Sequence, residues 1–367
     1  MIRSRRVAAS RGAAGLSGLI LLGCSADPTG SGGPSTRPPP SNQIQCSIPL
    51  DQIFSGGVDR GQIPDLTNPL MVDAGHPDTG YLADSDRVIG LRLQGDWIAV
   101  PHNILWAHEI INFTMGSGGR VAVTYCPLTG SSLAFDMGSV SRFIVSGLLF
   151  NNNLMMVDGD TESLWPQMSR GARCGPRDGQ SLLVLPSIEI TWAGWKELHP
   201  DTRVVSGVTG FTRDYTDYPY DLYEDPNAPP LYEVPEPDRR RQVKERVLGV
   251  PGGSGSSMAF PFFALANAGD LVAAHETIDG RSALVLWDSQ AASAVALRPE
   301  VDGQALTFEV QDGEFRDLET NSTWRLDGLA VSGPLAGSAL EPISDAFVSF
   351  WFAWSTFEPG TRIWGDS

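Results

Sequence analysis

Eight positions in this chain recur at one spacing. Arg87, Val88, Ile89, Gly90, Trp165, Trp192, Trp195 and Pro200 return as Arg246, Val247, Leu248, Gly249, Trp324, Trp351, Trp354 and Pro359, each 159 residues later. So many matches at one offset predict an internally duplicated α+β fold. Its two units would be mostly antiparallel β, each with a helix after the first hairpin, related by a pseudo-two-fold. The units would run over residues 87–207 and 246–367, after a lead-in at 46–86, with a tyrosine- and proline-rich connector at 208–245. In the first unit, Val88 to Val100 alternates around Gln94-Gly95-Asp96, as a hairpin does. Asn103 to Phe113 then places Ile104, Leu105, His108 and Ile111 on one helical stripe. Arg120 to Cys126 alternates again until Pro127 removes a ladder donor, and a second helix is expected at Ala193 to Leu198. The second unit repeats the order: Phe260 to Leu265 stands for Pro101 to Leu105, and Asp317 to Trp324 for Asp158 to Trp165.

The first residues set the expected location. Arg3, Arg5, Arg6 and Arg11 flank an apolar run, Ala13 to Leu22, too short to span a bilayer. The run ends Leu21-Leu22-Gly23-Cys24, the pattern of a bacterial lipobox, which predicts a signal peptide at 1–23 and lipidation at Cys24. Ser25 in place of Asp fits release to the outer membrane, facing periplasm or cell surface. Residues 24–45, rich in Gly, Ser and Pro, read as a flexible tether. Loss of the signal with its four arginines takes the formal charge from −17 to about −21. Such acidity argues against nucleic acid as a partner and leaves the lipid anchor as the expected membrane contact.

The differences between the two copies locate a candidate site. His108 and Glu109 become Ala268 and Gly269, Cys126 becomes Asp288, and His199 becomes Glu358. A thiolate, an imidazole and a carboxylate around one turn would suit a soft transition metal such as copper or zinc on Cys126 and His108. Alternatively, the imidazole would depress the Cys126 pKa and make a nucleophile, with Glu109 as a third catalytic group. The plainer readings are a core histidine, a surface glutamate and an inert buried thiol. Beyond Cys24 three cysteines remain, Cys46, Cys126 and Cys174, so at least one lacks an intramolecular partner; Cys126 with Cys174 is the first pairing expected. The glycine-rich 249–257 lacks the end of a phosphate loop, and no Gly-x-Ser-x-Gly, His-Glu-x-x-His or Cys-x-x-Cys occurs.

The ordered series Arg87-Val88-Ile89-Gly90, His108-Glu109-Ile110-Ile111-Asn112, Val121 to Leu128 and Val145-Ser146-Gly147-Leu148-Leu149 resembles the bacterial domain-of-unknown-function family 3179 over nearly all of the mature chain. The tyrosine-rich connector, Gly333 to Gly337 and Phe350 to Trp354 also fit its longer members. The resemblance implies a fold and a candidate site but no reaction. That family often has Cys-Pro-Leu-Cys where this chain has Cys126-Pro127-Leu128-Thr129, so a two-thiol centre at this turn is excluded here. Two function classes follow. One is an envelope-anchored lipoprotein with a thiol- or metal-dependent site in the first unit; the other is a non-catalytic lipoprotein whose duplicated β scaffold holds a partner or an envelope polymer.

Overall fold

In the computed structural model, which describes residues 45–234 and 236–366, the chain is mixed α+β, dominated by sheets, with four seven-residue α-helices. The signal peptide, Cys24 and nearly all of the expected tether lie outside the described residues. Among the described residues, no helix is long and apolar enough to cross a membrane.

Among the seven sheets of the described residues, two are built alike. In the first, the strands lie in the order Ile188–Thr191, Arg87–Leu93, Asp96–Pro101, Arg203–Val205, Met71–Asp73. In the second, the order is Phe347–Phe350, Arg246–Val250, Met258–Pro261, Arg362–Ile363. Both are built on an antiparallel hairpin, with Gly90 opposite Ala99 and Gly249 opposite Ala259. Each hairpin is flanked by an antiparallel strand on one side and a parallel one on the other. The first hairpin turns through Gln94 and Gly95, both at positive φ, which matches the right-handed twist of its strands.

Pro101 and Pro261 close the hairpins, and their fixed φ suits the start of helices α1 (His102–His108) and α3 (Phe262–Ala268). Helices α2 (Trp192–Leu198) and α4 (Trp351–Phe357) follow the outer strands. Such short helices persist only because tertiary packing holds them. The tryptophans do this: a Cβ on Gly90 would lie 2.3 Å from the Trp195 ring, and one on Gly249 would lie 2.2 Å from Trp354. Only glycine permits that approach. The indole Nε1 atoms then donate to Thr202 and Thr361, at 2.8 and 3.0 Å. Elsewhere Asp158 accepts from Trp165 and Asp317 from Trp324, both at 2.9 Å.

Two of the apolar clusters are shared between the halves, beside one confined to residues 66–215 and one to residues 248–348. Trp351 and Trp354 pack in one cluster with Trp165 and Phe143, while Trp192 and Trp195 pack with Leu284, Leu286 and Trp324. Each half therefore supplies apolar surface that the other buries.

One expected element is corrected. The stripe from Asn103 to Phe113 is not one helix: α1 stops at His108, Glu109 takes φ 56°, and Ile110–Thr114 is a strand paired with Arg120–Cys126. A left-handed residue cannot continue a right-handed helix. The β-branched Ile110 and Ile111 beyond it suit the sheet.

Candidate functional site

The strand Arg120–Cys126 decides which candidate residues meet. Alternation sends Val121, Val123 and Tyr125 to one face and Ala122 and Cys126 to the other, into different apolar clusters. His108 belongs with the Tyr125 side. Its Nδ1 donates to the Pro64 carbonyl at 2.6 Å, which fixes the neutral tautomer, and its Nε2 accepts from the Tyr215 hydroxyl at 2.7 Å. Phe211 covers the ring at 5.2 Å. Burial lowers the imidazole pKa, and both nitrogens are committed.

Cys126, 1% exposed, sits on the other side. Its sulfur accepts from the Leu154 N–H at 3.3 Å and lies 3.8 Å from the Asn152 carbonyl. Burial, then the nearby Glu109, pushes the thiol up to about 11. The expected cooperation of His108 with Cys126 is thus not built. Neither imidazole nitrogen is free to take the thiol proton, and the thiol is further from ionisation than an ordinary one. Among the described residues no three His, Cys, Asp or Glu side chains gather as metal ligands, so a copper or zinc centre on Cys126 and His108 lacks a donor set.

The disulfide expectation is also corrected. Cys174 bonds Cys46, not Cys126, which is the free cysteine among those described. The physical reason is placement: the Cys46 and Cys174 backbones meet as a β-bridge beside Leu164, while Cys126 faces Leu154 across the core.

Glu109 is the residue that does join Cys126. It is 8% exposed, and among the described residues its carboxyl makes no hydrogen bond or ion pair. Its backbone N–H still bonds Leu105 and its carbonyl accepts from Tyr125, so the strained turn is held at both ends. Burial raises the carboxyl to about 8, which makes it a proton donor at neutral pH. Beyond the turn, Thr129 joins Ser131, Asn153 and Gln167 in a closed set of side-chain hydrogen bonds between 2.5 and 3.2 Å. His199, which has Glu358 at the 159-residue offset, stacks on Trp97 at 3.7 Å, far along the chain from this turn.

A second polar cluster escaped sequence reasoning. Arg87 and Arg246, which stand 159 positions apart, both reach the same buried carboxylate, Glu189, at 2.6 and 3.2 Å. Ser132 donates to Glu189 Oε2, and His102 Nε2 lies 3.6 Å from the same oxygen. Arg246 also holds Glu224, at 2.6 Å. Burial alone would raise Glu189, but Arg87, His102 and Arg246 overcome it and hold the carboxyl down at about 2. Ser132 and Glu189 crowd one nitrogen of His102, so this is not the order of a Ser-His-acid relay, in which hydroxyl and carboxylate use opposite nitrogens. The cluster is an ionic clamp across the two halves. The recurrence of arginine at 87 and 246 was its one visible signal.

A family model described as "Protein of unknown function (DUF3179)" matches residues 60–361. The chain belongs to this family. Cys126, Glu109 and the Glu189 clamp all fall within the DUF3179 match. No curated protein and no solved structure matches the chain.

Proposed function

We propose that this DUF3179 protein is an envelope-anchored lipoprotein that binds rather than transforms its ligand, on a duplicated β scaffold. The observation that carries this reading is the separation of His108 from Cys126, with both imidazole nitrogens committed and the thiol buried and pushed up to about 11. The duplication is supported by the matched hairpin registers and by the matched Gly-Trp-Thr contacts of the two halves. The lipobox at Cys24 supports the anchor, and the Cys46–Cys174 bridge suits an oxidising compartment.

The surface for a ligand is an open cleft of 960 Å³ between segments of both halves. Arg173, Arg281 and Arg298 line it together with Asp279, Glu300 and Glu341. Donors and acceptors are balanced, which suits the hydroxyls of a neutral envelope glycan and gives a polyanion no net attraction.

Affinity electrophoresis through a neutral polysaccharide tests the reading. Cys126→Ser should be retarded like the parent, while Arg281→Ala combined with Glu300→Ala should migrate freely. Retardation that survives the cleft change but not Cys126→Ser would restore the thiol-dependent reading. The anchor is tested by the mass of the mature N-terminus, expected to begin at an acylated Cys24.

A further inference from the structure

A smaller, more enclosed cavity of 260 Å³ lies between the first hairpin and the second half. Its walls are mainly apolar, with Trp97, Trp195, Leu248, Val295 and Ile343 among them. An apolar cavity of roughly 150 Å³ accepts a benzene ring, so this one has room for a substituted ring. Two charged residues line it, Arg92 and Asp327.

Those two charges differ in availability. The Asp327 carboxylate is spent: Arg325 grips both of its oxygens, and the Leu329 N–H adds a contact at 3.3 Å. Arg92 is not. Its Nε donates to the Gly95 carbonyl at 3.1 Å and its guanidinium lies 5.6 Å over the Trp97 ring, but among the described residues it has no acidic partner. The cavity therefore offers an apolar interior and one uncompensated cation, in a chain whose formal charge is −17.

We propose that this cavity binds a small aromatic monocarboxylate, with the ring among Trp97, Val295 and Ile343 and the carboxylate held by the Arg92 guanidinium. A planar fork of N–H donors matches a carboxylate, and the aromatic face beneath it keeps the guanidinium oriented. Ring burial supplies the affinity, and the charge selects the acid over its neutral or cationic analogues. This inference does not rest on the glycan reading of the open cleft.

Titration calorimetry of the full mature chain with phenylacetate, phenylacetamide and phenethylamine tests it. Phenylacetate should bind at least tenfold more tightly than either analogue. Arg92→Gln, an exposed change that leaves the core intact, should reduce phenylacetate to the level of the amide. Ala346→Leu, which fills the cavity wall, should abolish binding of all three while leaving the melting transition cooperative. Equal binding of the three compounds, unchanged phenylacetate affinity in Arg92→Gln, or no binding to the parent protein would each overturn the proposal.

Discussion

Replacing Glu109 with glutamine should stabilise the protein at neutral pH and leave it unimproved at acid pH. The carboxyl is 8% exposed, without a partner among the described residues, and raised to about 8. In the unfolded chain it returns to the ordinary value of about 4.3. The sign follows from proton linkage. Between these two values the folded protein keeps a proton that the unfolded chain has released, so stability falls as pH rises through the window. At pH 7 the loss is about 2.7 units at about 1.36 kcal/mol each, less a small term for the folded carboxyl, or roughly 3.6 kcal/mol. Glutamine is neutral at every pH and escapes this loss. Any cost of its buried amide is the same at pH 4 and pH 7 and drops out of the comparison. His102 and His199, both held down to about 4 by burial first, make stability rise between pH 4 and 6.5. They do so in parent and variant alike. Urea unfolding of both proteins at unit steps from pH 4 to 8, with the disulfide intact, should show the Gln advantage growing by about 3.4 kcal/mol between pH 4 and 7. A difference that stays flat across that range would refute the buried, neutral Glu109.

Cys126 should react with iodoacetamide at pH 8 at least roughly 100-fold more slowly in the native protein than after unfolding, since its thiol is pushed up to about 11; comparable rates by mass spectrometry would contradict its burial. Peptide mapping without reduction should recover Cys46 joined to Cys174. Cys46→Ala should cost about 4–5 kcal/mol, the loop-closure value for a link between residues 128 apart, measured by urea unfolding. Gly90→Ala and Gly249→Ala should each lose about 1–3 kcal/mol or more, because both would drive a Cβ into a tryptophan ring; strongly unequal losses would speak against equivalent roles in the two halves. Glu189→Gln should lose about 3–5 kcal/mol by leaving Arg87 and Arg246 without their shared carboxylate, read from the same unfolding curves.

What the sequence made legible follows the range of the interactions. The hairpin at Gln94-Gly95 and the strand Arg120–Cys126 are local patterns, and both are present. The helix expected to reach Phe113 stops at His108 because Glu109 adopts a backbone conformation that its residue type does not announce. Periodicity put His108 and Ile111 on one stripe only by assuming that a single helical period continued through Glu109. The disulfide joins residues 128 positions apart and the Glu189 clamp joins partners 57 to 102 positions apart, and spacing alone carries no information about such meetings. The sequence differences at the 159- to 162-residue offsets pointed to Cys126 and Glu109, which interact, and also to His108, whose ring turns to Pro64 and Tyr215, and His199, which stacks on Trp97.

The Cys46–Cys174 bond has a mechanical consequence. Tension drawn along the chain from its N-terminal side arrives first at Cys46 and crosses through sulfur to Cys174, whose backbone neighbours both Cys46 and Leu164 in the fold. The chain between residues 47 and 173, which includes α1, Glu109 and Cys126, forms a covalent loop beside this load path. A pull that would otherwise peel the short strand Ile53–Ser55 away from Leu148–Phe150 is shunted past it. Reduction of one bond would put that strand, and the turn behind it, directly in series with the load.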